Sequence, residues 1–105
     1  MSEEQAMRFN TGKPQLSYVI SARYAIEGAA AVMEAGAHKY ARDNWKKGMD
    51  AEAIIDCMVR HLSKFLDGEE LDDETGLPHV DHVLCNAIFL SYHHNKRKPN
   101  DKSCT

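Results

Sequence analysis

Three residues of one helical stretch, His79, His82 and Asn86, stand at i, i+3 and i+7 and therefore share a face. Their neighbours on that stretch are Val80, Val83, Leu84, Ala87 and Ile88. A polar stripe among apolar residues must find partners once the helix packs. Such imidazoles serve as core histidines hydrogen-bonded to backbone, as ligands, or as proton carriers. His93 and His94 lie near the end of the same stretch and read as residues of a fraying terminus.

A second helical stretch adds to this chemistry. His61 falls between Met58 and Phe65 on the apolar row, where an imidazole is a ligand, a general base or a satisfied core group. Arg60 beside it carries a planar fork suited to phosphate, or else pairs with Asp56 one turn earlier. A third stripe, Tyr24, Glu27, Ala31, Glu34 and His38, recurs at helical spacing. Glu27 is the one acid among small residues there, and burial would oblige it to find a cation or a donor. Glu34 reads as solvated.

Between the second and third stretches runs Gly68-Glu69-Glu70-Leu71-Asp72-Asp73-Glu74, with five acids in seven residues. Acid runs are commonly solvated turns. Glu69 and Asp72, however, are spaced so that both carboxylates converge on one cation if the turn is helical, and hard oxygen ligands suit Mg2+ or Mn2+. The loop delivers these acids next to His79 and His82.

Three helices must position these groups. The first is expected from Gln15 or Ser17 to Ala35, closed by Gly36. A polar connection from His38 to Asp50 follows. In the second, Ala51, Ile54, Ile55, Met58, Leu62, Phe65 and Leu66 recur at three-four spacing, with Asp50 as N-cap and Gly68 as terminator. The third runs from Leu77 or Pro78 to His94, with proline near its first turn. No segment alternates as a strand does. In an antiparallel bundle the acid loop, the start of the third helix and His61 meet at one end, and Glu27 joins them if the packing register allows.

The fold class expected is all-α, a small bundle of three main helices in one domain spanning 1–105, with flexible tails at 1–7 and 95–105. Three helices of this size make a thin core. Gly28-Ala29-Ala30-Ala31 offers a surface that another helix can approach closely, and the third helix is apolar around more of its girth than one partner covers. Completion of the core by a homodimer or homotetramer is therefore expected.

Composition narrows the class further. The chain has 105 residues and a net charge of −3, which argues against broad nucleic-acid binding. No run is long enough to span a membrane. Met1 to Arg8 lacks the basic start and apolar centre of a signal peptide, so the cytoplasm is the expected compartment. Cys57, Cys85 and Cys104 form no CxxC pair, so neither a disulfide framework nor a thiolate zinc site is indicated.

The ordered set Gly36-Ala37-x-Lys39-Tyr40, Asn44-Trp45-x-x-Gly48, Arg60-His61-Leu62, Gly68-Glu69-x-x-Asp72, Glu74-Thr75-Gly76-Leu77-Pro78-His79-x-x-His82 and Asn86 resembles the phage dATP/dGTP diphosphohydrolase family. Arg8-Phe9-Asn10 also looks like that family's opening segment. The likeness covers about residues 8–90. It implies a MazG-like, all-α nucleotide pyrophosphohydrolase acting on purine deoxynucleoside triphosphates, in some phages supplying deoxyguanylate for 2-aminoadenine DNA. The MazG type carries Glu-Glu-x-x-Glu on one helix and Glu-x-x-Asp on another. Glu69-x-x-Asp72 matches the second element; the first is missing at Glu27, and histidines stand in for some carboxylates.

Under that resemblance the metal ligands are drawn from Glu27, Glu69, Asp72, His79 and His82. Lys39, Arg60 and His61 do the chemistry, the two cations by neutralising charge on the phosphates. Tyr40 or Trp45 stacks on the purine, and Asn44 or Asn86 reads its edge; Trp45 equally well pins its loop to the core. Two other readings compete. An HD-type triphosphohydrolase needs an adjacent His-Asp pair, and Asp81-His82 is in reverse order. A non-catalytic helical interaction protein leaves the polar stripes unexplained.

Overall fold

The computed structural model describes residues 11–96; Arg8-Phe9-Asn10, Cys104 and the expected tails lie outside them, except that Asn95 and Lys96, expected in the C-terminal tail, belong to the last helix. Four helices follow in order: α1 Ser17–Ile20, α2 Arg23–Lys39, α3 Ala51–Leu66 and α4 His79–Lys96, with a short 3-10 turn at Asn44–Lys46 before α3. Among the described residues there are no strands; Leu71 and Pro78 form an isolated antiparallel bridge. No described helix is long and apolar enough to cross a membrane.

The second predicted helix is found with its predicted ends. Asp50 accepts a hydrogen bond from the Ala53 N–H at 3.3 Å, satisfying one of the orphan donors of the first turn. Gly68 takes φ +96°, and the next N–H, of Glu69, returns to the Lys64 carbonyl at 3.0 Å. That left-handed position suits glycine because it has no Cβ. The third helix starts at His79, after Pro78, and runs to Lys96, two residues beyond the expected end.

The first helix starts at Ser17 as expected but departs from expectation in its interior and at its C-terminal end. It breaks at Ser21–Ala22, where Ala22 has φ −93° and ψ 49°. The Ser21 hydroxyl donates to the Tyr18 carbonyl at 2.8 Å, a local bond that competes with helix continuation. At the other end Gly36 stays helical, and the Tyr40 N–H bonds its carbonyl at 2.9 Å. His38 and Lys39 occupy the last turn, where positive charge complements the helix dipole.

α4 lies at the centre, packed against both α3 and α2. The buried apolar residues are few: Ala29, Val32, Ile54 and Cys85. Burial lifts the Cys85 thiol to about 12, so it stays protonated. The small-residue surface of α2 does receive a close neighbour: the Asp81 carboxylate of α4 occupies the space that a Cβ on Gly28 would need. On the outer side Ile55, Val59, Leu62 and Leu66 of α3 remain exposed at i, i+4, i+7 and i+11, one continuous face.

Candidate active site

α4 presents its polar stripe inward. His79 is completely buried, and His82 and Asn86 nearly so, although each sits among apolar residues. Burial on this scale requires partners, and for the two histidines these are side chains rather than the backbone expected of ordinary core histidines. His79 Nε2 lies 2.7 Å from Glu69 Oε2, and His79 Nδ1 lies 2.8 Å from His61 Nδ1. His82 Nε2 lies 2.8 Å from Thr75 Oγ1 and 4.0 Å from Asp72 Oδ2. The His61 ring stacks on His82, with centroids 4.3 Å apart and planes 5° from parallel.

The acid loop is not a helical turn. Its ends are closed by Asp72 N–H to Leu77 O at 2.8 Å and His79 N–H to Glu70 O at 3.0 Å. Gly76, at φ +73°, lets the chain reverse between them. Asp72 organises the turn: its Oδ2 accepts from the Glu74 N–H at 3.1 Å, the Thr75 N–H at 2.9 Å and the Thr75 hydroxyl at 3.1 Å. The consequence is that Glu69 and Asp72 meet different histidines, Glu69 facing His79 and Asp72 facing His82.

The electrostatics follow from this geometry. Burial lowers the pKa of both His61 and His82, and each is further lowered by neighbouring imidazoles. Burial acts to raise Asp72, but the Thr75 backbone and hydroxyl bonds, with His82 and His61, outweigh it and hold that carboxyl below its ordinary range. At neutral pH Asp72 is thus an ionised carboxylate beside the neutral imidazoles of His61 and His82.

These residues fit a divalent cation. His61, Asp72 and His79 each offer a donor atom, and the three atoms lie within 4.8 Å of one another. Glu69 takes the Nε2 hydrogen of His79 and so leaves the Nδ1 lone pair directed at the cluster. A carboxylate behind a histidine is the usual device for orienting a ligand. Glu69, expected as a ligand, is not among these three donors and bonds His79 instead.

Beside the cluster opens a cleft of about 860 Å³. Lys39, Tyr40, Asn44, Trp45, Arg60 and Asn86 line it, together with His61, Asp72 and His82. Lys39 Nζ reaches across its mouth to Glu74 Oε2 at 3.3 Å, which raises the lysine pKa. Arg60 lines the cleft, and no ion pair between it and Asp56 forms among the described residues. Trp45 is pinned: it stacks on Phe89 at 5.0 Å, meets the edge of Tyr92 at 4.8 Å, and its carbonyl receives His93 Nε2 at 2.9 Å. It is also a wall of the cleft.

Glu27 is not brought to the cluster. Its side chain is 64% exposed, and its carboxylate faces Arg23 at 3.6 Å, one turn away on the same helix. The small residues beside it meet α4 through Gly28, which turns Glu27 outward. Two residues of the site carried no assigned role in the sequence reading: Thr75, which ties His82 to Asp72, and Glu74, which holds Lys39. The Asp72-x-x-Thr75-Gly76 spacing is the available signal, since Asp followed by Thr and Gly marks a side-chain-capped turn.

Comparison with known proteins adds an independent line. Residues 3–103 match the family model described as dATP/dGTP diphosphohydrolase, N-terminal. The chain is 35% identical over 95 residues to a protein of Salmonella phage PMBT28 named dATP/dGTP diphosphohydrolase. That alignment covers 90% of this chain and 32% of the relative, so the chain spans about a third of the relative's length. No solved structure matches.

Proposed function

The chain belongs to the family of dATP/dGTP diphosphohydrolase N-terminal domains, and from that membership we propose that it hydrolyses dATP or dGTP to the monophosphate and pyrophosphate. The observation that carries the reading is the His61–Asp72–His79 donor cluster set beside a cleft with cationic and aromatic walls. A nucleoside triphosphate needs both, a cation site for phosphate and a flat apolar wall for the base.

His61, Asp72 and His79 would hold the cation, with Glu69 orienting His79 and Thr75 orienting Asp72 and His82. The bound ion supplies Lewis acidity toward phosphate oxygens. Two imidazoles with one carboxylate form a softer set than magnesium prefers, so of Mg2+ and Mn2+ we favour Mn2+. Lys39 and Arg60 face the phosphates and neutralise charge that develops there. The phosphates compete with Glu74 for Lys39. His82, neutral and outside the cation's three donors, would accept a proton from the water that attacks the α-phosphorus. Trp45 or Tyr40 stacks on the purine, and Asn44 and Asn86 lie at its edge.

The exposed α3 face suits a second copy of the chain, and a homodimer or homotetramer is part of the proposal. So is action in the host cytoplasm, where cutting dGTP would supply deoxyguanylate for 2-aminoadenine DNA. The test is an assay of the common nucleoside triphosphates with magnesium and with manganese, with products identified. Deoxynucleoside monophosphate plus pyrophosphate from purine substrates supports the reading. Triphosphate release, orthophosphate alone, or no turnover with either ion sinks it.

A further inference from the structure

Asn86 is held by its amide nitrogen. Nδ2 donates to the His82 carbonyl at 2.8 Å and points to Cys57 Sγ at 3.6 Å. A backbone carbonyl only accepts, so the group facing it must be the NH2, and the carboxamide cannot be turned the other way. Among the described residues no buried side-chain oxygen or nitrogen lacks a partner. The Oδ1 atom of Asn86 takes part in no hydrogen bond to a described residue. The space beside Asn86 is the cleft.

Its height along the cleft is set by the helix. Asn86 stands one turn beyond His82, about 6 Å along α4, and Phe89 stands about 10 Å beyond His82. Phe89 carries the Trp45 ring. The order along the cleft is therefore the donor cluster, then Asn86, then the aromatic wall. With an α-phosphate at the cluster, a nucleotide's sugar bridges to a base lying near Asn86 and Trp45.

We infer that Asn86 is a specificity-determining residue that offers the base a hydrogen-bond acceptor and no donor. This rests on the functional reading above and narrows it. The base it selects carries an N–H on its Watson–Crick edge, as the 6-amino group of adenine and the N1–H and 2-amino group of guanine do. A buried acceptor left facing an edge without an N–H loses its partner, and sites built to hydrogen-bond reject such analogues strongly.

The experiment compares kcat/KM for dGTP, dATP and the triphosphate of unsubstituted purine deoxyriboside, whose base edge has no N–H. Wild-type protein and Asn86→Ala are measured side by side. The expected result is a preference of about tenfold or more for dGTP and dATP in the wild type, collapsing toward one in the variant. Because the ratio is taken within each preparation, partial loss of folded protein cancels. Should Asn86→Ala fail to fold, Asn86→Ser, whose hydroxyl can still donate to the His82 carbonyl, takes its place in the same comparison. A wild type that turns over the bare purine as well as dGTP and dATP overturns the inference, as does a preference that survives in Asn86→Ala. A wild type that neither binds nor cuts any of the three overturns the reading beneath it, and the inference with it.

Discussion

The Nδ1 atoms of His61 and His79 face each other at 2.8 Å, and with Glu69 taking the other nitrogen of His79 that shared proton occupies a position a cation would suit. The contact joins α3 to α4 at the end of the bundle where the acid loop closes. A cation bound there would therefore be linked to the α3–α4 packing.

Binding a cation to the folded state alone stabilises it, by about 2.7 kcal/mol at a hundredfold excess over Kd. Thermal unfolding with added Mn2+ is expected to move upward by several degrees, and with Mg2+ at the same concentration by less. His79→Ala should abolish the shift. An unchanged shift in that variant rules out the cluster as the cation site.

Glu69 and Asp72 should behave differently on substitution. Asp72→Asn keeps acceptors for the Thr75 and Glu74 N–H groups while removing the charge, so the fold stays and metal-dependent turnover is lost. Glu69→Gln disturbs only the support behind His79, and such changes weaken metal affinity by roughly 10–100-fold. Raised Mn2+ should restore the Glu69 variant and leave the Asp72 variant inactive. Metal titrations of turnover distinguish the two; equal behaviour would falsify the division of roles.

Stability should fall with pH on the acid side. His61 and His82 have folded pKa values below the ordinary 6.5, because burial disfavours the imidazolium. The unfolded chain then binds more protons, so stability is lost as pH falls through and below 6.5. Asp72, lowered from 3.8, adds a loss of the same sign at lower pH. Melting temperatures of the metal-free protein should be flat above about pH 7 and decline progressively below it. His82→Gln should flatten the upper part of that decline. A rise in stability on acidification contradicts the burial of these rings.

The exposed stripe Ile55, Val59, Leu62 and Leu66 is expected to lie against a second copy. Light scattering at micromolar protein should report at least a dimer. Val59→Asp, placed in the centre of the stripe, should shift the population toward monomer while keeping helical circular dichroism. A stable, cooperatively folding wild-type monomer would remove the assembly from the proposal.

Much of this was legible in the residues themselves. The three-four spacing of α3, its Asp50 cap and Gly68 terminator are local, and so is the polar stripe of α4, since a helix places i, i+3 and i+7 on one face whatever surrounds it. The ordered motifs were enough to indicate the family. The tertiary structure decided what each polar group meets. Glu69 and Asp72 were expected to converge, but the Leu71–Pro78 bridge makes the loop a closed turn and sends them to different histidines. Glu27 was expected inside; close packing at Gly28 turned it to solvent. Gly36 looked like a helix end, yet nothing local forces a glycine to leave the helix. The Ser21 break was likewise open to either outcome. Sequence periodicity fixes a face and a rough height, whereas partner choice depends on register between helices and on how a loop closes, and those are settled only when distant segments pack.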